Sequence, residues 1–558
     1  MDQAKENSRE VLQGAIDAGI KLLEDFFVES VRNLRYKRNA LSPVSSLPPE
    51  IFVAIFSILC PDGKPGHNIA RIHLSHVCHQ WREIALDHSL LWRHVDFTTL
   101  SLAGAVEILT RAKSAPLYLE AKISSERWDY LQFNTFRKEL QAWAPRIRRL
   151  AITAECVEIR KTLRALESPA PTLDWFSLSS ADQEDVSIPD TLFNGSAPKL
   201  SWLRLRYCSI SWKWPLFKSL KYLQILVPGS RPTLAVWLDA LAEMSELKTL
   251  TLNRAIPKPS PFPCDIERTV TPPSLTHFNI LDHLEVCVLA LAHLDLPTLT
   301  HLSLEAFCDS FPKRDDVQKL LPHVARYMYG TQHTQPLQSM LIRNTLKYID
   351  ILTWPVPDID VEVQNLNSPI VLSAKLPTRL ALSFIGRNTF DPYDSHYYSH
   401  LELLGWLITG LPLDDVVTLS AEDLCDRTHR LAPKDIPAKQ FWFHISPKFT
   451  QLWRVSLSSP TVGAFIEMLL EDNEGRERPL LPSLTELIFI KVPDYYLAYL
   501  PLIDALMKRV ELGVPLEVLD FRMSFDGRIQ DKYIAQFQCF NEVVVDVLGL
   551  ESDEAKIT

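Results

Sequence analysis

Apolar residues fall into three successive patterns along this chain. Between residues 10 and 36, Leu12, Ile16, Ile20, Leu23, Phe27, Val31 and Leu34 recur at steps of four and three, the spacing that gathers one stripe along an α-helix. The stripe runs into Arg32, Arg35, Lys37 and Arg38, cations suited to the negative end of a helix dipole. Ser42-Pro43 then stops it. This helix is expected to fold against the domain that follows. A coiled-coil or partner helix is the alternative, its heptads being few.

Residues 45–97 form a denser block. Pro48-Pro49-Glu50 is a helix start, with proline in the first turn and a carboxylate at the positive end. Ile51, Phe52, Ile55, Phe56 and Leu59 follow up to the break at Pro61-Asp62-Gly63. Ile69, Ile72, Leu74 and Val77 give a second helical stretch, which Trp81, Ile84 and Ala85 continue towards Leu91-Trp92. Three short helices can close a core, but the first is apolar on more than one face. That surplus predicts a covered surface.

These residues carry a resemblance. Leu47-Pro48-x-Glu50-Ile51, then Val77-Cys78-x-x-Trp81-Arg82, then Leu91-Trp92 resembles the F-box pattern of an LPxE start, a VCxxW middle and an LW close. The resemblance implies docking onto the Skp-family linker of a cullin–RING ubiquitin ligase through Leu47, Pro48, Ile51, Ile55 and Val77. It also implies a core that includes Phe56, Trp81 and Trp92. The segment PDGKPGHN is longer and more polar than the family's usual connection.

From about residue 100 one phrase recurs: apolar, two variable positions, apolar, one variable, apolar. It stands at Ile147/Leu150/Ile152, Leu173/Phe176/Leu178, Leu200/Leu203/Leu205, Leu220/Leu223/Ile225, Leu247/Leu250/Leu252, Leu275/Phe278/Ile280 and Leu299/Leu302/Leu304. It returns at Leu337/Met340/Ile342, Leu452/Val455/Leu457, Leu484/Leu487/Phe489 and Leu516/Leu519/Phe521. The alternation predicts strands with one face inward, and Leu234–Met244 and Leu500–Val510 read as helices between them. Most spacings are about 20–32 residues, near the leucine-rich-repeat range. Each phrase buries three side chains at about 1.5–3 kcal/mol apiece. Ordering a unit costs on the order of 1 kcal/mol or more per residue, so units must stack to fold.

The expected fold class is therefore α/β: an N-terminal helix over 1–41, an F-box over 42–97, a leucine-rich-repeat-like solenoid (a horseshoe) over 98–545 and a polar tail over 546–558. Between 305 and 450 the spacing is irregular, with insertions expected at HTQPLQ and RNTFDPYDSHYYSH. Leu481-Pro482-Ser483-Leu484-Thr485-Glu486-Leu487, Gly513-Val514-Pro515-Leu516-Glu517-Val518-Leu519-Asp520 and Arg111 to Leu119 are similar to the large F-box families of mushroom-forming fungi. On a horseshoe the variable strand positions face the concave side. Arg204, Arg206, Thr251, Ser303, Arg454 and Ser456 are then the candidate contacts to a protein substrate.

Composition narrows the function classes. Over 558 residues, 46% hydrophobic and 23% charged describe an ordinary folded chain, and 16 glycines against 39 prolines suit short elements joined by stiff turns. A net charge of −10 argues against a general nucleic-acid binder. Nine cysteines without CxxC pairs read as reduced thiols, and MDQAKENSRE is too polar for a signal peptide. With no apolar run of membrane-spanning length, an intracellular protein is expected, cytoplasmic or nuclear. Gly14-x4-Gly19-Ile20-Lys21 lacks the lysine and hydroxyl of a phosphate loop. His73, His76, Cys78 and His79 lack a second ligand pair for a metal. Asp315-Asp316 and Asp414-Asp415 read as helix caps. Asn194-Gly195-Ser196 has the form of a glycosylation acceptor, without meaning inside a cell. No nucleophile–base motif appears, so neither an enzyme nor a cofactor is expected. A scaffold acting outside a cullin complex is the alternative function.

Overall fold

The computed structural model describes residues 2–60, 67–259, 268–308, 312–330, 335–344, 348–357, 378–386, 396–423, 436–458, 461–471, 479–490, 492, 499–524, 540 and 543–548. The polar segment 61–66, most of the insertion at 387–395 and the tail at 549–558 lie outside them. The chain forms two compact units, Met1–Leu200 and Ser201–Thr558, each α/β.

The first unit opens with helix α1 (Asp2–Ala40), longer than predicted at both ends. Its stripe is not folded against the next domain. Leu12, Ile16, Ile20, Leu23, Phe27 and Leu34 are all exposed. Contact is confined to the C-terminal end, where the Tyr36 ring meets His79 at 5.4 Å and Ser45 Oγ donates to the Asn39 carbonyl at 2.8 Å. Residues 11–29 of the helix are all exposed, which corrects the sequence expectation. The helices α2 (Pro49–Leu59), α3 (His67–Leu74) and α4 (His79–Asp87) follow, then a 3-10 turn over Ser89–Trp92.

Strand β1 (His94–Asp96) leads directly out of that block and pairs in parallel with β2 (Leu117–Lys122), so the last residues of the predicted F-box segment already belong to the sheet. β3 (Ile147–Ala154) and β4 (Trp175–Ser180) extend it, all parallel. Helices over Leu102–Arg111, Tyr130–Trp143 and Cys156–Ala165 form the connections. The second of these starts at a reciprocal cap: Asp129 accepts from the Gln132 amide at 2.8 Å while Gln132 accepts from the Asp129 amide at 3.0 Å. A two-residue strand, β5 (Val186–Ser187), follows β4 in the same unit.

In the second unit β6 (Trp202–Arg206), β8 (Tyr222–Leu226), β9 (Thr249–Asn253), β10 (His277–His283) and β11 (His301–Cys308) run parallel in that order, with short β7 (Cys208–Ser209) beside them in sequence. β11 then pairs with β14 (Leu380–Gly386), not with its successor. β14 is antiparallel to β13 (Tyr348–Trp354), which is antiparallel to β12 (Ser339–Asn344). Parallel order resumes through β15 (Thr418–Asp423), β16 (Arg454–Ser458), β17 (Glu486–Ile490), β18 (Val518–Met523) and β19 (Asp546–Leu548). Helices Leu234–Glu243 and Tyr499–Glu511 stand where the sequence predicted them.

Every residue of the recurring phrase is buried, the first just ahead of a strand (for Ile147, at its first position) and the other two on its inward face. Three consecutive strands share a further signature. Tyr207, Val227 and Arg254, each directly after β6, β8 or β9, have φ of 54°, 51° and 52°. Their amides donate to Leu226, Asn253 and Leu281 of the neighbouring strand at 2.9, 2.8 and 2.8 Å. Left-handed backbone is costly for a β-branched valine. Its recurrence at equivalent positions shows that the repeat geometry imposes it.

Candidate functional site

The helical block 49–92 is held by an aromatic cluster. Phe52 and Phe56, one turn apart on α2, are buried, and Trp81 on α4 closes on both at ring separations of 5.7 and 5.2 Å. Aromatic groups in these tilted and edge-on arrangements gain beyond their buried area. Trp92 is fully buried, and its Nε1 donates to the Ala85 carbonyl at 2.6 Å. The Arg111 guanidinium, at the end of the next helix, lies 4.9 Å from the Trp92 ring and ties the block to the repeats of its own unit. Buried Arg71 donates through Nη1 to the His94 carbonyl at 3.1 Å, anchoring α3 to β1. Burial pushes the Cys60 thiol pKa up, against the opposing Arg71 charge.

The opposite surface is apolar and open. Ile51 is 45% exposed and Val77 58%, Pro48 is exposed, and Leu47 and Ile55 are half-buried. The sequence missed the most open member, Ile58 at 78% exposure, together with Leu59 and Ile69. The signal was present: 51, 55, 58 and 59 share one helical face. Pro48 and Pro49 set the start of α2, and Gln80 Nε2 donates to the Ser45 carbonyl at 3.0 Å, holding the entering chain to α4. Of the histidine–cysteine cluster, His79 pairs with Glu83 at 3.2 Å and lies against Tyr36. Among the described residues no group of three or more His, Cys, Asp or Glu side chains is placed to hold a metal.

The candidate substrate contacts divide. Arg204 and Arg206 are exposed on β6. Thr251 is half-buried and accepts from Asn279 Nδ2 at 3.1 Å. Ser303 and Ser456 are buried and offer no surface, and Arg454 is drawn into a 2.7 Å ion pair with Glu486 over the Trp453 ring. These corrections share a cause. β6, β8, β9 and β10 alternate buried and accessible positions, whereas β11, β16 and β17 are buried on nearly every residue. The outward face is thus open on β6, β8, β9 and β10 and covered on β11, β16 and β17.

Asp350 and Asp282 are carboxylates buried within the strand array. Asp350 is raised to a pKa of about 6, chiefly by burial, against the lowering influence of Ser383 and of Arg343 at 3.3 Å. Fully buried Asp282 accepts from Arg231 Nη2 and Nη1 at 3.1 and 2.9 Å and from the His283 amide at 2.9 Å.

No helix among the described residues is long and apolar enough to cross a membrane. No curated protein matches the chain. A family model described as F-box-like matches residues 44–98, the span of the aromatic-centred helical block and its exit strand. Residues 44–98 are an F-box-like domain, joined to an α/β array of largely parallel strands.

Proposed function

We propose that this chain is a substrate-receptor subunit of an SCF-type cullin–RING ubiquitin ligase. The F-box-like domain docks on the Skp-family linker, and the strand array binds a protein substrate. The observation that carries the reading is the exposure of Ile51, Ile58, Leu59, Ile69 and Val77 on a small domain whose Phe52 and Phe56 are buried. Several large apolar side chains left open on one small domain support a partner site. The role needs no covalent step on this chain: holding a substrate beside the charged enzyme raises the effective concentration of its lysines.

Leu47→Ala combined with Pro48→Ala is expected to weaken linker capture in a pull-down while the strand array stays folded by circular dichroism. Undiminished capture would remove the docking assignment. A scaffold working without ubiquitin transfer would use the same domain and linker. It differs in one outcome, the absence of a cullin from the purified complex.

A further inference from the structure

The accessible side of the early strands in the second unit stands apart in charge. Residues 202–206, 222–226, 249–253 and 277–283 present alternate side chains outward. None of those outward positions is Asp or Glu, in a chain of net charge −10. Arg204 and Arg206 are exposed there, and neither has an ion-pair partner among the described residues. The Arg206 guanidinium lies 5.2 Å from the Tyr207 ring and that of Arg254 4.9 Å from the Phe307 ring. Such contacts steady a cation without neutralising it. Asp282 on β10 and Glu305 on β11 are both buried, the first clamped by Arg231. Across the strands the register places Gln224 beside Arg204, then Thr251 beside Gln224 and Asn279 beside Thr251. This is a row of neutral hydrogen-bonding groups next to the cations.

We infer that this surface takes an extended acidic polypeptide segment. Arg204, Arg206 and Arg254 hold its carboxylates or phosphates, and the Gln224–Thr251–Asn279 row meets its backbone. Strand spacing of ~4.8 Å makes β6 to β10 about 14 Å wide, the reach of roughly four extended residues. The inference rests on the substrate-receptor reading for the role of that segment and adds its chemical class.

The test is fluorescence polarisation of the full chain with short labelled peptides of alternating Glu and Thr, the same peptide with Gln for Glu, and the same with phosphoserine for Glu. The Glu peptide is expected to bind roughly tenfold or more tighter than the Gln peptide, with affinity falling as salt rises. Arg204→Glu with Arg206→Glu should abolish that preference. Arg204→Lys with Arg206→Lys should keep most of it, and circular dichroism should show both variants folded. Phosphoserine binding above or below Glu assigns the anion as phosphate or carboxylate. Equal binding of Glu and Gln peptides, or a preference that survives charge reversal, overturns the inference. Linker capture by the same preparation separates the two claims. Captured linker without discrimination of Glu from Gln sinks only the acidic-segment inference. Failure to capture linker sinks the receptor reading, whichever peptide binds.

Discussion

Asp282→Asn is expected to destabilise the second unit by about 3–5 kcal/mol, the cost of breaking a buried ion pair from one side. The carboxylate is fully buried and accepts two guanidinium hydrogen bonds and one backbone amide. Arg231, only 16% exposed as a side chain, also donates to the Ile256 carbonyl at 3.0 Å. The fork therefore joins the segments following β8 and β9 to β10 itself. Each charge-assisted bond contributes about 1.5–3 kcal/mol. Asparagine keeps the shape and one acceptor oxygen but loses the charge, so most of the fork is forfeited. Urea unfolding followed by tryptophan fluorescence measures the change. Pairing Asp282→Asn with Arg231→Met in a double-mutant cycle isolates the coupling, expected at about 2–3 kcal/mol. A coupling near zero, with both single variants as stable as wild type, would refute the clamp.

Phe56→Ala should cost about 3–5 kcal/mol by emptying the centre of the Phe52–Phe56–Trp81 cluster; thermal melting of residue 44–98 amides by hydrogen exchange reads it out. Val227→Asn should stabilise by about 0.5–1 kcal/mol, because asparagine tolerates the φ of 51° that valine resists; a lowered melting temperature would contradict this. The Asp350 pKa of about 6 lies above its ordinary 3.8, so the folded state binds the proton more tightly than the unfolded chain. That contribution is fully present below about pH 4 and is lost as pH rises through about 6, a fall of up to ~3 kcal/mol. Asp350→Asn should remove that slope from a stability–pH curve measured beside wild type.

The strands legible in the sequence were those that carry three inward apolar residues at fixed spacing, because that spacing is the physical requirement for half-burial. β13, Tyr-Ile-Asp-Ile-Leu-Thr-Trp, escaped because it is a central antiparallel strand with both faces covered, so its alternation is blurred. β1 escaped because it is short and follows Leu91-Trp92 without a turn signal. The F-box-like motif was readable at Leu47, Pro48 and Val77, since proline and the turn before α4 fix those positions. Ser303 and Ser456 were misread as surface: strand alternation says which residues share a face, not whether that face is covered. The apolar stripe of α1 was readable as a helix for the same reason, and its exposure was not.

The central claim is that the F-box-like domain offers its exposed apolar side chains to a Skp-family linker. Isothermal titration of the full chain with purified linker tests this most directly when wild type is run beside Ile51→Asp, a change at a 45% exposed position that spares the aromatic core. Wild type is expected to bind saturably, and the variant to lose roughly tenfold or more in affinity. No heat of binding from wild type, or equal affinity for both chains, would contradict it.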